Sequence, residues 1–363
     1  MIVITTFTSR SIHLYHAMSI DDEVWFNEYS QAKIKDKYTI VVLMPIQGHG
    51  ARMLAKRIDV AAKTLEWSSH LIEESENNIE TIKQIKPDFI ITTTSNYNLG
   101  PDVLPYNVYA YLTQSTRIYF GGIFSLKPKF KENKYPNLDK ISGFMCSFKA
   151  LSFLKDFKEK SGERFYGFRS FPCTQETKFE PLKFNSIVYF GSHYDKLRSS
   201  NRFKIFFKKL DEAGILNVYG PKEVWEYVPN AWRGQLDGDG WEIINRTKDY
   251  GISLLVHAKR FNKEGLPSGR IFEAVAASSI IICDKNDFVE KNFGDSVLYI
   301  NQEKSANAMT EEVLKHVEWI KSHPKESVEK AKRAHEILIK NFTLENELVK
   351  IAKMHETIIA NSN

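Results

Sequence analysis

The densest group of residues able to do chemistry is the run Glu264 to Ser278, EGLPSGRIFEAVAAS. Ser268, just after Leu266 and Pro267, is a residue type that opens helices. The N–H groups of Gly269 and Arg270 would then point out of the helix start, where an anion such as a nucleotide phosphate is favoured. Arg270 can add a two-pronged contact to the same phosphate. Glu273 lies one turn further in, where a carboxylate can take both hydroxyls of a ribose. Ala274, Ala276 and Ala277 let such a helix sit close to a sheet. The same residues also fit a plainly capped core helix with Arg270 on the surface.

A second group is Gln235-Leu236-Asp237-Gly238-Asp239-Gly240-Trp241. Two carboxylates and two glycines ahead of a helix make a loop that another backbone can approach closely. Asp237, with Asp239 in reserve, is the candidate general base. A turn with an aspartate N-cap fits equally. The D-x-D spacing also invites a metal, but no other acidic or histidine cluster supports it, and no metal is expected. His257 ends the apolar strand pattern GISLLVH and can hydrogen-bond a phosphate or a sugar, although a lone histidine is more often structural. Lys259 and Arg260 follow it and can offset phosphate charge; surface placement fits them equally. Gly191-Ser192, after IVYF, allows close approach of a phosphate or an acceptor. Tyr219-Gly220 is a candidate border for a nucleotide base or a plain turn. His49, in Gly48-His49-Gly50, is a candidate base on the acceptor side. That lone G-x-G lacks the third glycine and the acidic residue of a dinucleotide fingerprint, which argues against a nicotinamide-dependent dehydrogenase.

These residues sit where short β-branched runs give way to loops and then to amphipathic runs, the pattern of βα units around parallel sheets. The expected strands of the first half are Ile2–Phe7, Thr39–Met44, Phe89–Thr94, Val108–Leu112, Arg117–Phe120 and Ile141–Cys146. Residues 51–67 carry Met53, Leu54, Ile58, Ala61, Ala62 and Leu65 at helical spacing. Residues 171–185 follow neither period and are expected to connect two domains, 1–170 and 186–363. The second half restarts with SIVYFGSH. Strands are expected at 216–219, 252–257, 280–283 and 297–300, with a loop over 258–267 and helix from 268. Three helices follow, over 306–322, 327–340 and 344–360.

Bulk composition agrees. At 363 residues, 42% hydrophobic and 26% charged, the chain has apolar mass for two cores and is not a disordered polymer. Its formal charge of +5 suits an anionic substrate or a loose contact with an anionic membrane, and is too weak to point to nucleic acid. The cysteines, Cys146, Cys173 and Cys283, are scattered and odd in number, so neither a disulfide framework nor a zinc site is expected and a cytoplasmic setting is. The opening MIVITTFTSRSIHLYHAM lacks the architecture of a signal peptide and reads as a first strand. No run reaches the ~18–20 apolar residues of a membrane span.

The block GLPSGRIFEAVAASSIIICDKNDF, with FGDSVLYIN after it, resembles the donor-binding half of bacterial GT-B glycosyltransferases. The opener VYFGS, the segment NVYGP and the terminal FTLENELVKIAKMHETI are also similar; IKPDFIITTTS resembles their acceptor-domain strands less specifically. The resemblance implies an α/β fold of two Rossmann-like domains facing across a cleft. An N-terminal acceptor-binding domain, 1–170, would face a C-terminal nucleotide-sugar-binding domain with a helical tail, 186–363. It further implies donor contacts from Gly191, Ser192, Tyr219, Gly220, Lys259, Pro267, Ser268, Gly269, Arg270 and Glu273. The nucleotide-sugar would be a co-substrate rather than a cofactor, without a metal. The implied activity is sugar transfer to a saccharide or lipid-linked glycan in surface polysaccharide or lipopolysaccharide synthesis, on the cytoplasmic side of a membrane. One departure stands out. Many retaining enzymes of this kind carry two glutamates eight residues apart; Glu273 fits the second, while Gly265 occupies the first position and Glu264 is one place early. The 235–241 loop resembles one in surface-polysaccharide transferases that include enzymes using CMP-Kdo, which implies Asp237 as a residue forming a glycosyl adduct. A non-catalytic nucleotide-sugar-binding partner subunit is the alternative of another class.

Overall fold

In the computed structural model, residues 31–46, 49–75, 78–93, 107–112, 143–146, 165–168, 174–192, 197–236 and 241–362 are described. The chain divides into two units, Met1–Phe171 with Leu344–Asn363, and Pro172–Thr343. The expected strands Ile2–Phe7 and Arg117–Phe120 lie outside the described residues, as do Asp237 and Asp239.

In the first unit the apolar run TIVVLM forms β1 (Thr39–Met44), and the amphipathic segment after it forms α1 (His49–Thr64). Met53, Leu54, Ile58, Ala61 and Ala62 are buried, as helical spacing predicts. Then follow β2 (Ser68–Glu73), α2 (Ile79–Ile85), β3 (Phe89–Thr92), β4 (Asn107–Leu112), β5 (Gly143–Cys146) and β6 (Phe165–Phe168). The six strands form one parallel sheet in the order β2-β1-β3-β4-β5-β6.

The second unit holds β7 (Ser186–Phe190), α3 (Asn201–Glu212), β8 (Leu216–Tyr219), α4 (Lys222–Trp225), α5 (Glu242–Tyr250) and β9 (Gly251–Leu255). They are followed by α6 (Lys259–Glu264), α7 (Gly269–Ala276), β10 (Ile280–Asp284), α8 (Asp287–Phe293) and β11 (Leu298–Ile300). Helices α9 (Ala306–Ser322) and α10 (Pro324–Asn341) complete the unit. The sheet is parallel, in the order β11-β10-β9-β7-β8. Alternation along the buried strands supplies two cores. Ile280 and Ile282 pack with Phe203, Phe206 and Met309 on one face; Ile281 and Cys283 pack with Ile271, Val275 and Leu338 on the other. The sheet therefore lies between two helical layers, which is why its strands are apolar throughout.

Two expected boundaries differ. The terminal helix α11 (Leu344–Ser362) groups with the first unit rather than with 186–343. The Tyr38 hydroxyl donates to Glu356 at 2.8 Å, and the His355 ring lies 4.9 Å from that of Phe89. Residues 174–185 are strapped onto the second unit. The Thr177 hydroxyl donates to the Ala276 carbonyl at 2.9 Å, and the Glu180 N–H donates to the Ser278 hydroxyl at 3.1 Å. The expected loop 258–267 contains a short helix, α6, closed by Gly265 at φ +63°.

Candidate functional site

In the second sheet, β8 lies on one side of β7 and β9 on the other. The connections leaving β7 and β9 therefore run in opposite directions, and an open α/β sheet binds ligands at the carboxyl ends of such a pair. Gly191-Ser192 follows β7 there, and His257 follows β9. Gly191 is pinned: its N–H donates to the Tyr219 carbonyl at 3.1 Å, and its carbonyl accepts from the Trp225 indole at 2.9 Å. Gly220, at the end of β8, is required by this packing, because a Cβ there would stand 2.2 Å from the Gly191 oxygen.

At the end of β9 stands a buried polar network. The His257 side chain has no exposed surface, and Asp284, the last residue of β10, has none either. Asp284 Oδ1 accepts the His257 backbone N–H at 2.8 Å and lies 2.9 Å from His257 Nδ1. Its Oδ2 accepts from the Asn262 amide at 2.6 Å. Asn286 donates to Asn262 Oδ1 at 2.8 Å and to the Leu266 carbonyl at 2.9 Å, and its own Oδ1 caps α8. The chain His257–Asp284–Asn262–Asn286–Leu266 thus ties the end of β9 to the segment that opens α7.

His257, Cys283 and Asp284 bring Nδ1, Sγ and a carboxylate oxygen within 4.8 Å of one another, all buried. Two of those atoms are hydrogen-bonded to each other, and the Cys283 thiol donates to the Asp284 carbonyl at 3.1 Å. Burial, and then the adjacent Asp284 carboxylate, push the thiol well above its ordinary pKa. The trio reads as a hydrogen-bond network.

Helix α7 opens as its sequence suggests, with Ser268 as N-cap. The Ser268 hydroxyl accepts the Arg270 N–H at 3.3 Å, so one of the two amides expected to face an anion has an internal partner. Arg270 and Glu273 are ion-paired with each other; Glu273 is 2% exposed, and the Arg270 side chain is one-third exposed. In the free protein the two residues expected to take phosphate and ribose therefore hold one another.

The other expected residues are placed as follows. Tyr219 is buried, stacked on Phe190, with its hydroxyl 3.0 Å from that of Tyr250. Burial raises its pKa above the ordinary value, so the side chain is a packed phenol and only its backbone borders the strand ends. Lys259 is exposed at the start of α6, and Pro267 is buried beside Ser268. His49 is the first residue of α1 in the first unit. Asp284, Asn262 and Asn286 are functional candidates that sequence reasoning missed. Their signal was faint: an aspartate closing the otherwise apolar strand IIICD.

Residues 198–353 match a family model described as "Glycosyl transferase-like". No curated protein sequence matches the chain. Among solved structures, the chain is similar to a glycosyltransferase from Rickettsia africae (TM-score 0.56, 14% identity, covering 90% of this chain and 100% of that one). It is also similar to an alpha-glucosyltransferase in complex with UDP and DNA (0.58, 11%, 87% and 99%). A third is the sucrose-phosphate synthase of Thermosynechococcus elongatus (0.55, 11%, 89% and 100%). Residues 198–353 thus carry a glycosyltransferase domain, and the chain has the GT-B-type fold of these structures. Among the described residues no helix is long and apolar enough to cross a membrane.

Proposed function

We propose that the protein transfers a sugar from a nucleotide-activated donor to a saccharide or lipid-linked glycan acceptor in surface polysaccharide synthesis, at the cytoplasmic face of a membrane. The second unit binds the donor and the first binds the acceptor. The observation carrying this reading is the convergence, at the carboxyl ends of β7 and β9, of the Gly191–Gly220 contact, buried His257 and the segment that opens α7. The α7 start with Arg270 supplies positive potential for the charge of a diphosphate. For the nucleotide to enter, Arg270 turns from Glu273 to the phosphate, and the Glu273 carboxylate takes the ribose hydroxyls. Asp237 is the carboxylate assigned to the reacting centre and His49 the acceptor-side base.

Incubating the protein with UDP-, GDP-, ADP-, TDP- and CMP-sugars and following release of the free nucleotide tests this. One nucleotide class should be turned over, and Asp237→Ala should abolish turnover while nucleotide binding persists. Full turnover by Asp237→Ala would remove that residue from the chemistry. Binding without turnover of any donor, with or without added lipid-linked saccharide, would favour a partner subunit.

A further inference from the structure

Resting on the donor-site reading above, the geometry points to His257 Nε2 as a hydrogen-bond acceptor for a hydroxyl of the transferred sugar, with Asp284 as the residue that positions and polarises the ring.

Asp284 takes a hydrogen on each oxygen, from the His257 backbone N–H on Oδ1 and from the Asn262 amide on Oδ2. A carboxylate filled in this way is an acceptor, so at the 2.9 Å contact with the ring it is Nδ1 that donates. In the neutral imidazole the network therefore assigns the proton to Nδ1 and leaves a lone pair on Nε2. That Nε2 is buried and has no hydrogen-bond partner among the described residues. Buried polar atoms of folded proteins are nearly always paired, and one that is not calls for an explanation.

Position supplies it. The ring stands at the carboxyl end of β9, where a ligand is expected, and is tied through Asn262, Asn286 and the Leu266 carbonyl to the segment that opens α7. A lone pair cannot pair with a phosphoryl oxygen, which is itself an acceptor. It pairs with an O–H, and the sugar is the hydroxyl-rich part of a nucleotide-sugar. The contact thus separates the sugar nucleotide from the bare nucleotide. A site built to bond a hydroxyl rejects ligands lacking it, because its own polar atom is then left unpaired.

The test is ¹⁵N NMR of histidine-labelled protein, with the His257 signals identified by their loss in His257→Gln. The free protein should show a protonated Nδ1 and an unprotonated Nε2. UDP-glucose beside UDP, GDP-mannose beside GDP, and CMP-N-acetylneuraminate beside CMP serve as probes. For a nucleotide that raises the melting temperature, the sugar form should move Nε2 and the bare form should not. Asp284→Asn keeps an oxygen for the His257 backbone N–H and ring but sets its NH2 against the Asn262 amide donor, which loosens the ring. It should weaken the sugar nucleotide roughly tenfold, with the bare nucleotide unchanged. A protonated Nε2 in the free protein overturns the inference, as does an equal response to bare nucleotide, which would mean a phosphate contact. A nucleotide that binds while neither form moves Nε2 overturns the inference and leaves the donor site standing. Binding by none of the probes removes both.

Discussion

The two sheets place their described strands in the same pattern, yet the carboxyl ends of those strands are used differently. In the first unit, polar side chains there fasten strands to the next helix. Arg52 of α1 reaches back to the Pro45 carbonyl at 2.7 Å and to Glu73 at 2.8 Å, and the Thr93 hydroxyl donates to the Ala51 carbonyl at 3.1 Å. In the second unit, the polar groups converge on a single imidazole that keeps one ring nitrogen without a partner among the described residues. A common βα frame thus serves mainly as attachment in one place and holds a buried, oriented imidazole in the other. The position of a residue at a strand end does not decide its role; what decides it is whether the surrounding hydrogen bonds close.

The contrast is broken most severely at Asp284. Asp284→Ala removes the acceptor for the buried His257 backbone N–H and ring and for the half-buried Asn262 amide. It should cost roughly 3–5 kcal/mol, read as a melting-temperature fall of about 10 °C. The first-unit counterpart Glu73→Ala deletes a half-exposed carboxylate and should cost under about 1 kcal/mol. Similar costs for the two would erase the distinction. Next in size, Gly220→Ala forces a methyl toward the Gly191 oxygen. It should cost about 2–3 kcal/mol and weaken nucleotide binding, both seen in a thermal melt with and without ligand.

Arg270→Ala should weaken the preferred nucleotide about tenfold by calorimetry, whereas Arg52→Ala in the first unit should leave that affinity unchanged. The smallest effect is on acid stability. Burial lowers the pKa of His335 in the second unit and of His355 in the first below the ordinary 6.5. Each is held neutral when folded and binds protons more readily when unfolded. Their contribution is therefore complete above about pH 6.5 and is lost as pH falls through the depressed folded values. Melting temperatures measured from about pH 7.5 to pH 5 should fall. The fall should be shallower in His335→Gln or in His355→Phe, where a ring against Phe89 is kept.

Much of this was legible in the chain. The runs TIVVLM, SIVYF and IIICD declare buried strands, and Ser268 declares the start of α7. The run SSHLIE did not declare β2, because an edge strand in this half-exposed position alternates serine, histidine and glutamate with few apolar residues. Helix α6, KRFNKE, is short, charged and without a period. The pattern of α11 gives a helix but cannot say which sheet it joins, since its partners Tyr38 and Phe89 lie hundreds of residues away. The same distance problem hid the network. His257 could be suspected from its strand end, but Asp284 is 27 residues on, and Asn262 and Asn286 look like ordinary loop amides. The Arg270–Glu273 pair was visible as two binding residues, not as partners for each other.

The claim that the second unit is a nucleotide-sugar site is tested most directly by titrating the protein with UDP, GDP, ADP, TDP and CMP and recording the melting temperature. One nucleotide should stand out, with a rise of roughly 5–10 °C at a hundredfold excess over its Kd, and the rise should shrink in Arg270→Ala. No shift with any of the five at millimolar concentration would contradict the donor-site assignment.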